Sequence, residues 1–204
     1  MIAVIDYGVG NLFSLERSLS AIGKDAVITR DKDAVRSSDR IILPGVGAFA
    51  DAARKLRDTG MADLVTEEAR RGKPLLGICL GMQLLFEKSS EYGVHPGLGL
   101  IGGEIVPLSE LVPAGYKIPH IGWNALHMRK ESALYSGVSE GECVYFVHSF
   151  CAVGCKDSLS AVTEYGAPVT ASVERGCVFG TQFHPEKSGK TGLKILKNFC
   201  EVRV

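Results

Sequence analysis

The segment Leu75-Leu76-Gly77-Ile78-Cys79-Leu80-Gly81-Met82-Gln83 constrains this chain more than any other. An apolar run enters Gly-x-Cys-x-Gly and leaves on a helical pattern, so a strand must turn abruptly into a helix with Cys79 at the apex. A turn that sharp forces the apex residue into a strained backbone conformation. Glycines two residues before and two after it remove side chains that would collide there. A cysteine in that place sits at a helix N-terminus, where the dipole and free N–H groups favour its thiolate. The N–H of Leu80 would point toward a developing oxyanion. Taken alone, the segment fits equally well a nucleophile elbow and a buried cysteine beside a tight turn.

A strand–turn–helix unit belongs in a parallel α/β sheet, and the first half of the chain supplies the rest of one. Residues 2–6 (IAVID) read as a strand buried on both faces. Further strands at 26–30, 40–43 and 74–78 alternate with helical patterns over about 12–22, 48–59, 61–71 and 80–88, with Asn11 placed to cap the first. Beyond the elbow the pattern changes. Segments 101–108, 121–128, 143–148, 158–164, 168–174 and 176–183 are strand-like with turn-rich links, and a helix closes the chain over about 189–202. The expectation is an α/β fold with a mainly parallel central sheet flanked by helices. Additional antiparallel strands in the C-terminal half pack beside or onto that sheet. With 46% apolar residues in 204, one domain over residues 1–204 has enough apolar side chain for a core.

Composition removes several function classes. Lys+Arg and Asp+Glu both number 23 and no basic patch stands out, which argues against a nucleic-acid partner. No segment is long and apolar enough to span a bilayer, and the N-terminal IAVID strand has no signal-peptide character. The six cysteines are irregularly spaced with no C-x-x-C, so they read as reduced thiols in a cytoplasmic protein. Cys151-x-x-x-Cys155 is remotely zinc-like but has no histidine nearby, so neither a metal nor a cofactor is expected.

The second chemical signal is Thr181-Gln182-Phe183-His184-Pro185-Glu186, at the end of an apolar strand. A cysteine nucleophile needs a base to take its proton and return it to a leaving amine. That base needs a third group to fix its tautomer. His184 and Glu186 are two residues apart with Pro185 stiffening the link, so the carboxylate can reach the imidazole from a fixed direction. A lone histidine is most often a satisfied surface or core residue, as His95 and His127 read here. An adjacent acid and an elbow cysteine shift His184 toward catalysis.

An elbow G-x-C-x-G followed about a hundred residues later by H-P-E resembles the class I, triad-type glutamine amidotransferases, and the resemblance covers the whole chain. Asp6-Tyr7-Gly8-Val9-Gly10-Asn11, Pro44-Gly45-Val46-Gly47-Ala48-Phe49, Pro119-His120-Ile121-Gly122-Trp123-Asn124, Tyr145-Phe146-Val147-His148-Ser149 and Phe183-His184-Pro185-Glu186-Lys187-Ser188-Gly189 occur in that order. Together they are similar to the glutaminase subunits of imidazole glycerol phosphate synthases, enzymes of histidine biosynthesis. Phe150 stands where that family usually has Tyr, so no hydroxyl role is carried over to it.

The resemblance implies that Cys79 attacks the side-chain amide of glutamine, that His184 held by Glu186 protonates the departing ammonia, and that water hydrolyses a glutamyl thioester. It implies an oxyanion site made by the Leu80 N–H and a backbone N–H from Gly45-Val46-Gly47, after a turn of the Val46 peptide. Gln83, Glu91 and the backbone at Ser149 and Phe150 would bind the amino-acid head of glutamine. The implied partner is a (β/α)8-barrel cyclase whose channel carries ammonia to a carboxamide imidazole nucleotide. Asn11, Pro119, Trp123, Asn124 and Lys187 would lie at that interface. From composition alone Trp123 reads as a core tryptophan; the resemblance makes it an interface anchor instead. Two alternatives stay open: a glutaminase serving another synthase, such as a sugar amidotransferase, and a non-catalytic scaffold.

Overall fold

The computed structural model describes residues 1–203. Its N-terminal half runs β1 (Ile2–Ile5), α1 (Leu12–Ala21), β2 (Ala26–Thr29), α2 (Lys32–Ser37), β3 (Arg40–Leu43), α3 (Phe49–Asp58), α4 (Met61–Arg70), β4 (Leu75–Ile78) and α5 (Leu80–Leu84). Then follow β5 (Phe86–Ser89), β6 (His95–Pro96), β7 (Ile101–Pro107), β8 (His120–Ala125), β9 (His127–Met128), β10 (Cys143–His148), β11 (Phe150–Val153), β12 (Leu159–Glu164), β13 (Pro168–Arg175), β14 (Val178–Thr181) and α6 (Gly189–Glu201).

The main sheet has the order β2-β1-β3-β4-β14-β13-β12-β9. Pairing is parallel from β2 through β14 and antiparallel from β14 to β9. The period of two along the strands divides the core. Ala3, Ile5, Ile41, Leu43 and Leu75 face α3, α4 and the elements around β5 and β7, with Phe49, Leu56 and Val65 as their main cover. Ile2, Val4, Ile42, Leu76 and Ile78 face α1 and α6, meeting Leu15, Leu19, Ile195 and Phe199. Strands covered on both sides read as continuous apolar runs, which is why they are plain in the sequence.

Several elements depart from the sequence reading. The expected 80–88 helix stops at Leu84, because Phe86–Ser89 leaves it to pair with β7, where Lys88 meets Glu104 at 3.2 Å. The expected strand 121–128 is two strands in different sheets. β8 pairs with β10 and β9 with β12, and the break falls at buried Leu126, whose N–H and carbonyl are taken up by the 141–142 turn. The last strand pairs antiparallel with β13, as expected, but it also joins the parallel part of the sheet. β14 lies parallel to β4, filling the place beside the elbow. α2, β6 and β11 are too short or too irregular in pattern to have been foreseen.

Phe199 is fully buried and meets Phe179 edge-on at 6.0 Å, tying α6 to the sheet. Phe199→Ala should therefore destabilise the chain by about 3–5 kcal/mol, measured as a shift of the urea unfolding midpoint. A loss under about 1 kcal/mol would contradict this packing.

Candidate active site

Cys79 occupies φ 54°, ψ −112°, one of two non-glycine residues with positive φ among those described. Close packing enforces it. A Cβ on Gly81 would lie 1.8 Å from the Leu43 carbonyl oxygen, and one on Gly77 would lie 2.7 Å from the Gly81 carbonyl oxygen and the Met82 nitrogen. Only glycines let α5 start this near to β3 and β4. Leu80 opens the helix, so its N–H has no intrahelical partner and remains available to an anion.

The Cys79 N–H donates to the Thr181 carbonyl at 2.7 Å, anchoring the end of β14 beside the elbow. Three residues on, His184 is buried, and its Nδ1 faces Glu186 Oε1 at 2.7 Å. The turn that carries both is braced on every side. Ser188 Oγ donates to the His184 carbonyl at 2.6 Å and accepts from the Tyr145 N–H at 3.0 Å. Gly192 brings α6 so near that a Cβ there would lie 1.9 Å from the Pro185 carbonyl oxygen. Burial resists charge on the His184 ring, but Cys79 and Glu186 beside it outweigh that and raise its pKa to about 10. The imidazolium is thus available at neutral pH, with Nδ1 committed to Glu186 and Nε2 free for proton traffic.

A cavity of about 390 Å³ opens onto these groups. Its wall includes Val46, Gly47, Cys79, Leu80, Gln83, Glu91, Ser149, Phe150 and His184, so the structure collects nearly every residue expected to bind glutamine. Gly45 lies behind the wall. Its backbone angles are ordinary, and glycine is needed there for closeness: a Cβ would lie 2.7 Å from Tyr7 Oη and 2.9 Å from the Gly81 nitrogen. Gly47, at φ 98° in open space, supplies the conformational freedom expected of both. Glu91 Oε2 accepts from the Phe49 N–H at 2.8 Å, which fixes the carboxylate at the start of α3.

Three residues at the site were not singled out from sequence. Tyr7 Oη donates to the Pro44 carbonyl at 2.8 Å, holding the 44–47 loop from behind. Gln182 Nε2 lies 3.7 Å from Cys79 Sγ, while its Oε1 accepts from Gln83 Nε2 at 3.0 Å. His148 lines the cavity and faces His120. Tyr7, Gln182 and His148 each lay inside a quoted segment, but nothing in one-dimensional spacing ties them to Cys79.

Of the expected interface residues, Pro119 and Asn11 line hollows at the site, while Trp123 and Asn124 lie on β8 and Lys187 follows Glu186. Trp123 is 54% exposed and meets Tyr145 at 6.0 Å, and Lys187 Nζ lies 5.8 Å from the Tyr145 ring. Asn11 shares a small hollow with His184 and Glu186, and Pro119 borders the main cavity. Asn124 is partly buried, with its amide directed inward to His120 and Glu164.

An elbow cysteine and a histidine held by a carboxylate, facing one cavity beside a free helix N–H, have the chemistry that acyl transfer needs. Residues 3–202 match the family model described as glutamine amidotransferase class-I, and the chain belongs to that family. Within it, the chain is 53% identical over 203 residues to the imidazole glycerol phosphate synthase subunit HisH of Caldanaerobacter subterraneus, covering 99% of this chain and 98% of that one. It is 49% identical to the subunit of the same name from Wolinella succinogenes, covering 99% and 100%. Among solved structures, one described as a glutamine amidotransferase superposes with a TM-score of 0.76 at 19% identity, covering 98% of each chain. The glutaminase domain of Trypanosoma brucei CTPS with bound acivicin gives 0.63 at 16% identity, covering 100% and 94%. Both structures share the fold. No helix among the described residues is long and apolar enough to cross a membrane.

Glu186→Gln removes the charge that helps hold the His184 proton, so the His184 pKa should fall well below about 10 in an NMR titration. A raised folded-state pKa contributes stability that is complete below the unfolded value of about 6.5 and disappears as pH rises through the folded one. The stability gap between wild type and Glu186→Gln should accordingly be widest near about pH 6 and narrow as pH climbs through about 10. An unchanged His184 titration would show that Glu186 does not act on it.

Proposed function

We propose that this chain is the glutaminase subunit of an imidazole glycerol phosphate synthase, releasing ammonia from glutamine for a cyclase subunit. The observation that carries the reading is the meeting of Cys79, His184 and the Val46–Gly47 segment on one cavity, with Glu186 on His184 Nδ1 from behind. It stands in a chain about half identical, end to end, to subunits of that synthase. Six free thiols fit a reducing cytoplasm, and the continuous packing around one main sheet fits a single domain.

Cys79 Sγ attacks the glutamine side-chain carbonyl, and a carbon–sulfur bond forms. The oxyanion is received by the Leu80 N–H and by an N–H of the Gly45-Val46-Gly47 loop. The carbon–nitrogen bond then breaks as His184 Nε2 gives its proton to the leaving ammonia. Neutral His184 next draws a proton from water, which attacks the thioester and releases glutamate and the Cys79 thiol. Gln83, Glu91 and the 149–150 backbone hold the amino-acid head during both steps.

Ammonia in neutral water is mostly protonated and inert as a nucleophile, so the product must leave under cover. The apolar side chains of Ile121 and Trp123, 59% and 54% exposed, give a barrel-shaped cyclase a surface to seal, with Trp123 as anchor and Asn11, Pro119, Asn124 and Lys187 around it.

Cys79→Ala should abolish glutamate release, while synthesis by the complex from added ammonia persists. Loss of both would mean that the cysteine is needed for assembly and not only for chemistry. Wild-type glutamate release should be low for the chain alone and rise strongly with cyclase plus its nucleotide ligand. Release that ignores the cyclase would point to another synthase, such as one aminating a sugar. Lys187→Ala, exposed beside the triad, should weaken stimulation by the cyclase more than it weakens glutamine binding, read as a kcat loss exceeding the KM change. Normal stimulation in that variant would remove the role.

A further inference from the structure

Between the face carrying Trp123 and the glutamine cavity lie two buried imidazoles in direct contact. His120 and His148 are cross-strand partners of β8 and β10, and His120 Nδ1 faces His148 Nε2 at 3.0 Å. The outer nitrogens face acceptors. His148 Nδ1 is 2.8 Å from the Phe150 carbonyl oxygen, and His120 Nε2 is 2.8 Å from Asn124 Oδ1. His120 is held flat between Phe146 and Tyr165, with ring centroids at 5.0 and 4.0 Å and interplanar angles of 19° and 21°.

Three hydrogen-bonding positions run along this row, and two neutral imidazoles carry two N–H protons. Burial lowers the pKa of both rings, that of His148 to about 4. No acidic side chain among the described residues hydrogen-bonds either ring, so the pair is neutral near pH 7. One position must therefore go without a proton. If His148 donates to Phe150 and His120 donates to His148, then His120 Nε2 is bare and Asn124 must turn its amide to donate. If His120 donates to Asn124 and His148 donates to His120, then His148 Nδ1 is bare against the Phe150 carbonyl. The third arrangement sets two lone pairs against each other at 3.0 Å and is the poorest.

Asn124 Nδ2 donates to the Glu164 carbonyl at 3.2 Å, which holds Oδ1 toward His120 and favours the state in which His148 gives no N–H to the Phe150 carbonyl. That carbonyl also accepts from Gln83 Nε2 at 3.3 Å, and Gln83 continues through Gln182 to Cys79 Sγ. We propose that His120 and His148 are positioning residues that form a two-state tautomer relay, in which the orientation of the Asn124 amide sets whether the Phe150 carbonyl in the glutamine cavity is fixed. The partner-facing end of the relay rests on the proposed docking of the cyclase. A partner that turns the Asn124 amide moves the pattern one step inward. His148 Nδ1–H then fixes the carbonyl that Gln83 shares, and the 149–150 wall is set for glutamine. Each state satisfies one end of the row at the expense of the other, which is the bistable element that coupling between two sites requires.

The test is nitrogen NMR of histidine-labelled chain in the whole complex, because a bare ring nitrogen and an N–H resonate far apart. In the free chain His148 Nδ1 should be bare and His120 Nε2 protonated. With cyclase and its nucleotide ligand bound, His148 Nδ1 and His120 Nδ1 should carry the protons. His120→Phe keeps the ring between Phe146 and Tyr165 but removes both nitrogens. Its stimulation by the liganded cyclase should fall about tenfold, an ordinary coupling between sites, with a higher KM for glutamine. Adding Asn124→Leu to it should cost less further stimulation than Asn124→Leu costs alone. Identical tautomers in the free and docked wild type, where docking does stimulate glutamate release, would overturn the relay and leave the functional reading standing. So would fully additive losses in the double variant. Absence of any stimulation of the wild type would instead sink the functional reading, and the relay with it.

Discussion

One hydrogen bond, from the N–H of Cys79, the proposed nucleophile, to the Thr181 carbonyl at 2.7 Å, ties the two halves of the site together. It exists because β14 inserts parallel to β4 with Thr181 opposite Ile78. That register leaves only Gln182 and Phe183 between the anchored carbonyl and His184. A slip of one residue would send the Phe183 side chain, which packs in the core, toward the cavity and bury His184 in its place. The glycines of the elbow serve the same closeness. They let α5 begin against Leu43, so the Pro44–Gly47 loop leaves β3 beside Cys79, with Tyr7 bonded to its first carbonyl.

The charge arrangement follows from this geometry. His184 and Glu186 are both withdrawn from water, their side chains 3% and 4% exposed. Such a pair is costly to bury and persists where its geometry is good. Here the turn is held by Ser188 and by α6 packed through Gly192, so rigidity is imposed from outside the cavity. Glu186 Oε2 is buried without a hydrogen-bond partner among the described residues, and its carboxylate shares a hollow with Asn11 on the partner side. His184 lines the same hollow, so both members of the pair reach it.

Much of this was legible in the sequence because it rests on local rules. Strands β1, β3 and β4 are buried on both faces and read as unbroken apolar runs, and the elbow and the His-Pro-Glu turn announce themselves by glycine and proline spacing. What escaped is long-range. That a strand near residue 178 runs parallel to β4 as well as antiparallel to β13 is settled by the gap beside the elbow, not by its own composition. The end of α5 at Leu84 is settled by pairing with β7 across a loop. Likewise Gln182 acquires meaning only when Gln83, 99 residues earlier, arrives to fix its amide. The role given to Gly45 failed for a related reason. Glycine in a loop suggests freedom of φ, whereas this one answers to crowding by Tyr7 and Gly81, which no window of the chain reveals.

The exposed tryptophan and the buried histidine row are two consequences of one hairpin. Strands alternate their side chains, so β8 directs Ile121 and Trp123 outward and His120 inward. A ribbon of two strands, β8 and β10, carries the outer face of the site by itself. Among the described residues it pairs with no third strand, and it is held at its inner surface by polar contacts as well as by Phe146. For the proposed docking of a cyclase, such a ribbon could both seal the face and pass that contact to the cavity. Apolar groups on one side supply affinity, and an imidazole pair on the other has too few protons to satisfy both of its ends.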